Sequence, residues 1–290
     1  MGENNWLTER FEENRPHLRA VAYRMLGSLS EADDAVQEAW LKVNRSGADG
    51  VANLAGWLTT VTARVCLDML RARKPREPET DLNAFRSDAP DPEDEALLAE
   101  SVGLALLVVL EKLEPAERLA FVLHDMFAIP FEEIGLIVGR SAVAARQLAS
   151  RARRRVQGPP EVSVAGLSEK RAVATRFLAA LRAGDFEGLL AVLDPDVVVR
   201  LDGGAAGAGP RVIHGAANWA RGAIAFSQFA RFAQTAMVDG EPGIVMAPRG
   251  QLFSVLRFTI RDGKIVEADV ITRPERLREI EVAVPEGGGD

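Results

Sequence analysis

The sequence predicts a multidomain chain with two all-α blocks followed by one α+β domain, and three observations carry that expectation. Apolar residues recur at helical spacing through residues 5–73 and again through 94–157. A stretch rich in proline and acid, residues 75–94 with Pro75, Pro78, Pro90 and Pro92, separates the two blocks and reads as a linker. Past residue 230 the helical period gives way to short apolar runs, with Asp262-Gly263 as a strong hairpin signal.

In the first block Leu18, Val21, Ala22 and Met25 mark one helix, and Ala35, Ala39 and Val43 a second. Ser30 with Asp33 reads as a cap for that second helix, with Glu31, Asp33 and Asp34 in a first turn where the helix dipole favours acids. A third helix is expected over residues 53–73, with Leu54, Leu58, Val61 and Val65 buried. The second block holds a helix opened by Pro115 and ending near Met126, then a short helix from Phe131 to Val138. Gly139 supplies a turn that needs positive φ, and Ser141 caps a last helix. Gly158-Pro159-Pro160 closes the block. In the third, helices are expected over 168–183, 185–193 (capped by Asp185) and 215–227. Strands follow at 231–238, 243–246, 250–261 and 264–272, giving a mostly antiparallel sheet.

Composition narrows the function classes. With 290 residues and 47% hydrophobic content the chain can build several cores, yet no run approaches the roughly 18 apolar residues of a membrane span. No membrane association is expected, and a cytoplasmic location is. Cys66 is the single cysteine, so no intrachain disulfide can form. With His17, His124 and His214 scattered, no zinc spacing exists; neither metal nor cofactor is expected.

Net charge is −7, but its distribution says more. Residues 139–157 carry six arginines and no acid, and Arg71, Arg73, Lys74 and Arg76 form a second basic cluster. Between them, residues 77–100 hold nine acids and only Arg86 as a base. In the last helix of the second block Ala145, Leu148, Ala149, Ala152 and Val156 make one apolar face, while Arg146, Gln147, Ser150, Arg153 and Arg154 point elsewhere. A small-residue face for the protein and an Arg/Gln/Ser face for the outside is what insertion into a DNA major groove requires. A solvated basic helix ending a bundle is the bland alternative.

The segment "LEPAERLAFVLHDMFAIPFEEIGLIVGRSAVAARQLASRARRRV" resembles the −35-reading domain of extracytoplasmic-function (ECF) sigma factors. The resemblance rests on Leu113, Pro115 and Arg118, on Glu133-Ile134 with Gly139, and on Ser141, Arg146-Gln147 and Arg151-Ala152-Arg153. Upstream, "RPHLRAVAYRMLGSLSEADDAVQEAWLKV" is similar to the family's core-binding helices. The resemblance implies an alternative sigma factor, not an enzyme, with core RNA polymerase and promoter DNA, duplex at −35 and melted at −10, as partners. It implies a region 2 domain over 1–76, an acidic linker over 77–100, a region 4 helix-turn-helix domain over 101–158 and a short linker over 159–167.

For the −35 element the implied contacts are Ser141, Arg146, Gln147, Ser150, Arg151, Arg153 and Arg154. For polymerase they are Asp33, Asp34, Gln37 and Glu38, an acidic and amide stripe beside Trp40. The helix from Asn53 to Lys74 resembles the −10 reader: Trp57, Thr60, Arg64 and Asp68 share one side, and Arg71, Arg73 and Lys74 follow. Residues 46–53 are the expected place for a flipped base, although Trp57 is equally placed to be core.

Residues 168–284, through "FLAALRAGDFEGLLAVLDPDVVVRLDGG", resemble the SnoaL-like fold, a cone of helices on a curved antiparallel sheet; 285–290 read as a flexible tail. Together the resemblances point to the SigJ-like group, in which the appended domain modulates sigma activity in cis through intramolecular contact. Asp202, Gly203 and Gly204 stand where that group tends to carry Asp-Gly-Gly-Gly-Lys, and Arg273, Pro274, Glu275, Arg276 and Leu277 where it has Asn-Pro-Asp-Lys-Leu. The linker signature Trp-Leu-Pro-Glu-Pro is reduced here to Arg76-Glu77-Pro78.

Two other readings remain open on sequence. One is a helix-turn-helix regulator whose C-terminal domain senses a small-molecule ligand. The other is a SnoaL-type enzyme drawing its acid–base pair from His214, Asp202 and Asp269, with Asp196 read as the start of a strand.

Overall fold

The computed structural model describes residues 2–48, 50–73, 103–158, 164–203 and 209–284. The acidic linker, the tail, Lys74 and Gly204 lie outside the described residues. The chain divides into two compact units, Met1–Arg76 with Leu110–Arg155, and Glu77–Val109 with Val156–Asp290. The two helical blocks that the sequence separates thus pack into a single unit.

That first unit opens with α1 (Gly2–Leu26), α2 (Leu29–Ser46) and α3 (Leu54–Ala72). Ser28, not Ser30, caps α2, its hydroxyl accepting from Glu31 N. Asn53 caps α3, its side-chain oxygen accepting from Gly56 N at 3.0 Å. Leu58 and Val65 of α3 are buried, but Leu54 and Val61 are only half-buried. Thr59, Thr62, Ala63, Cys66, Leu67 and Leu70 complete the inward face instead. The two threonines fit because each hydroxyl donates to a carbonyl one turn back, Ala55 and Leu58, at 2.9 Å. Burial pushes the Cys66 thiol up to about 12.

The second block supplies α4 (Leu104–Glu111), α5 (Pro115–Phe121), a π-turn at Val122–Met126, α6 (Phe131–Val138) and α7 (Ala142–Gln157). Helix α4 belongs to the second unit through Val109 and to the first from Leu110. Pro115 sits at the start of α5, where its missing N–H costs nothing.

The second unit is α+β. Helices α8 (Val164–Ala183), α9 (Phe186–Val192) and α10 (Ala216–Ile224) cover one face of a seven-stranded sheet, and a short helix, α11 (Pro274–Glu279), follows the last long strand. The strands are β1 (Leu193–Leu201), β2 (Arg211–His214), β3 (Ala233–Val238), β4 (Glu241–Met246), β5 (Ser254–Arg261), β6 (Lys264–Ile271) and β7 (Val282–Ala283), in the order β2-β1-β6-β5-β4-β3-β7. The sheet is mixed rather than antiparallel throughout, because β1 pairs parallel with β6. The β5–β6 hairpin turns on Asp262 and Gly263 at φ 49° and 71°, both left-handed, as that dipeptide predicts.

Sheet and helices close on a core that holds Phe177 of α8 stacked 5.0 Å from Trp219 and 5.4 Å from Phe258. Phe177→Ala removes the middle ring of this trio. The expected cost is about 3–5 kcal/mol of stability, read as a lower midpoint for the C-terminal transition in urea.

Candidate polymerase and promoter interfaces

Helix α7 is built as its pattern requires. Ala145, Leu148, Ala149, Ala152 and Val156 are all buried, while Arg146, Gln147 and Arg154 are exposed and Ser150 half-exposed. Gly139 has φ 70°, and Ser141 Oγ accepts from Ala144 N at 3.2 Å, which fixes the entry into α7. A second glycine, singled out by no sequence argument, matters as much. A Cβ on Gly135 would stand 2.7 Å from the Arg140 carbonyl oxygen, so α6 and the turn approach closely only over glycine.

The arginines of α7 divide into two sets. Arg151 and Arg155 donate to the two carboxylate oxygens of buried Glu117, at 2.7 and 2.9 Å, and Arg153 is hydrogen-bonded to Asp125. Arg151 and Arg153 therefore flank the outward stripe and are tied to their own domain, whereas Arg146 and Arg154 carry no carboxylate partner among the described residues. Arg146 instead lies over the Phe131 ring, 5.2 Å from its centroid, and His124 stacks on that ring at 3.8 Å.

On α3, Arg64, Asp68 and Arg71 are exposed, and Trp57 and Thr60 are half-buried. Arg64 donates to the Leu136 carbonyl of α6 at 3.3 Å. Arg73, expected among the DNA-facing cations, is occupied elsewhere. It donates to the Leu26 carbonyl at 2.7 Å, to Glu31 at 2.5 Å and to both oxygens of Glu111 at 3.1 Å. Beside it, buried Arg118 donates to the Met25 carbonyl at 3.0 Å and to Glu111 at 3.2 Å, and burial lowers its pKa. The arginine of the Leu-x-Pro-x-x-Arg pattern thus packs inside the unit.

On α2, Asp33, Asp34, Gln37 and Glu38 form the expected exposed stripe, which Leu41, 40% exposed, extends by one turn. Asp33 pairs with Arg19 at 2.7 Å, and Glu38 with Lys42 at 3.8 Å. Trp40 is half-buried with its ring 4.9 Å from Phe11, which makes it a support for the stripe rather than part of it.

In the second unit Asp202 and the Arg273 segment, given by the resemblance as two separate motifs, lie side by side. Asp202, buried, accepts from Thr272 N at 3.0 Å, Thr272 Oγ1 at 2.7 Å and Arg273 N at 3.1 Å, and Arg276 reaches it at 3.5 Å. One carboxylate therefore anchors the approach to α11. The enzyme candidates fare differently. Strand register aligns His214 with Val198 and Glu267, and Arg200 with Asp269, on the face that alternates away from inward Val197 and Val199. On that face Arg257 joins Asp269 at 3.0 Å and Asp239 at 3.3 Å. His214 and Asp269 thus point away from the helix-covered side, where Phe177, Trp219 and Phe258 are packed.

Two family models match the chain: sigma-70 region 2 over residues 10–76 and sigma-70 region 4 over 103–156. It is 37% identical to the ECF RNA polymerase sigma factor SigJ of Mycobacterium tuberculosis, with 92% of each chain covered. It is also 33% identical to the probable ECF sigma factor SigI of the same organism, over the full length of both. The chain is an ECF sigma factor. It directs transcription initiation as an alternative sigma subunit, and its sigma domains imply core RNA polymerase and promoter DNA as partners. The crystal structure of M. tuberculosis SigJ matches at 32% identity and a TM-score of 0.46, covering 93% of this chain and 98% of that one. No helix of the described residues is long and apolar enough to cross a membrane.

His17 gives this sigma factor a pH dependence. Its ring sits edge-on to Phe127 at 5.3 Å and within 3.2 Å of the Thr59 hydroxyl; burial, then the Arg24 charge, lowers its pKa below the ordinary 6.5. The unfolded chain therefore takes up the proton first as pH drops. The contribution of neutral His17 is fully present above about 6.5 and is lost as pH falls toward the folded value. Denaturant midpoints of wild type and His17→Gln should diverge between pH 7.5 and 5.5, with the shallower slope in the variant.

Proposed function

We propose that this sigma factor reads −35 duplex with the Arg146, Gln147, Ser150 and Arg154 face of α7 and melted −10 DNA with the Trp57, Thr60, Arg64, Asp68 and Arg71 side of α3. It docks on polymerase through Asp33, Asp34, Gln37 and Glu38. The observation that carries this is the α7 helix itself, with one face fully buried and the opposite face holding polar groups able to hydrogen-bond base edges. Ser141, Arg151 and Arg153 serve as entry and flank, neutralising phosphates where their ion pairs yield. Asn53 fixes the start of α3, and Lys74 extends its basic end. The protein works in the cytoplasm beside polymerase and catalyses nothing itself.

The compact first unit cannot do this as it stands. About 120 residues give a radius of gyration near 14 Å, or roughly 35 Å across. Elements about 25 base pairs apart lie roughly 85 Å apart on B-DNA at 3.4 Å per pair. Engaging both requires α5–α7 to leave α1–α3, and the Arg73–Glu31–Glu111–Arg118 cluster is what must part. Fluorophores on α3 and α7 should transfer energy efficiently in the free protein and several-fold less once core polymerase and promoter are added. An unchanged signal in an actively transcribing complex sinks this opening.

The SnoaL-like domain regulates in cis, and Asp202 is where its effect is set. Gly203 follows that anchor in a left-handed conformation, with Gly204 next in the sequence, and Arg273, Pro274, Glu275, Arg276 and Leu277 form the segment it holds. Asp202→Ala frees three backbone and side-chain donors of residues 272–273. In run-off transcription with purified core, the full-length variant should differ at least threefold from wild type while binding core equally.

A further inference from the structure

Among the exposed apolar side chains, Val143 stands apart by position. It is 61% exposed, at the second residue of α7. Its spacing to Arg146, Gln147, Ser150 and Arg154 is i+3, i+4, i+7 and i+11, which places it within the outward stripe rather than at its rim. The buried face needs nothing from it, since Ala145, Leu148, Ala149, Ala152 and Val156 already complete that packing. Helix stability does not ask for it either: valine is a poor helix former, and exposed here it gains no burial. Surface valines are common singly and need no explanation. This one lies in the stripe proposed to face bases, on the end of the helix that enters the groove first.

The major-groove edge of DNA presents one apolar group, the C5-methyl of thymine. Arg146, Gln147 and Ser150 can address hydrogen-bonding atoms of the bases but gain nothing from that methyl. Residues suited to it carry methyls on a short stem, as valine does. We propose that Val143 reads the C5-methyl of one thymine in the −35 element, adding apolar specificity to the polar face. This rests on the assignment of α7 as the −35 reader. Neighbouring Ala142 and Ala144 are only half-exposed and offer a single methyl each.

The test uses the full-length protein with core polymerase and a −35 sequence selected from randomised duplex by the same complex. Each thymine of that element, on either strand, is replaced singly by deoxyuridine, which removes the methyl and nothing else. For wild type, one replacement should weaken binding about fourfold, the worth of one buried methyl. Val143→Ser should bind the thymine and deoxyuridine forms of that site equally, and Val143→Thr, which keeps one methyl, should restore part of the difference. Because each variant is compared with itself on two DNAs, a general loss of affinity or folding cancels. A selected element without thymine, no site sensitive to the methyl, or a sensitivity unchanged in Val143→Ser overturns the inference. Binding indifferent to the −35 sequence, and to Arg146→Ala, marks the failure of the α7 assignment itself, and the inference goes with it.

Discussion

Four charged side chains hold the sigma module in its compact form. Arg73 and Arg118 converge on Glu111, Arg73 also pairs with Glu31, and the two guanidinium groups reach the Leu26 and Met25 carbonyls at the end of α1. Those carbonyls end a helix and would otherwise lack partners. The cluster thus finishes α1, ends α3 and seats α5 in one place. Arg118 is buried with its Nε atom unpartnered, so most of its desolvation is balanced through a single carboxylate. Such pairs add little net stability but are costly to break halfway. That property suits a junction meant to be wholly closed or wholly open.

This junction explains what the sequence revealed and what it hid. Helical phase exposed the two faces of α7, the glycine turn and the Ser141 and Asp185 caps, because each depends on residues within one or two turns of each other. Apart from Arg118 with Glu111, seven residues away, the partners of Arg73 and Arg118 lie 38 to 93 residues away, which local pattern does not register. Arg73 read as a DNA cation because it follows Arg71 in a basic run; its place at the end of α3 turns it inward. Arg151 and Arg153 read as −35 contacts for the same reason, and the distant carboxylates of Glu117 and Asp125 tie them to their own domain. Gly135 left no signal, since only the returning turn makes its missing side chain necessary.

In the α+β unit the hairpin and the first helices were legible for the same local reason. A strand beginning at Asp196 was legible, but its parallel pairing was not, because β1 (Leu193–Leu201) joins β6 across a long sequence gap. That pairing decides which side of the sheet His214 and Asp269 occupy. It sets them opposite the aromatic core and weakens an acid–base pair in the cone. Asp202 also changes meaning. Read as part of a motif of the appended domain and as an acid–base candidate, it serves as the hydrogen-bond centre for the Thr272-Arg273 backbone.

Helix α4 does not respect the boundary that its sequence suggests. Its first turns, through Val109, are counted with the α+β unit, where Ala105 N donates to Gln234 Oε1 at 3.0 Å, and its end supplies Glu111 to the sigma module. A cut after Gly158 would strip Leu104, Leu107 and Val108 of their surroundings and present them to water. Anyone grafting this C-terminal domain onto another sigma factor should therefore transplant residues 103–109 with it, since the seam for such a chimaera runs through the middle of a helix.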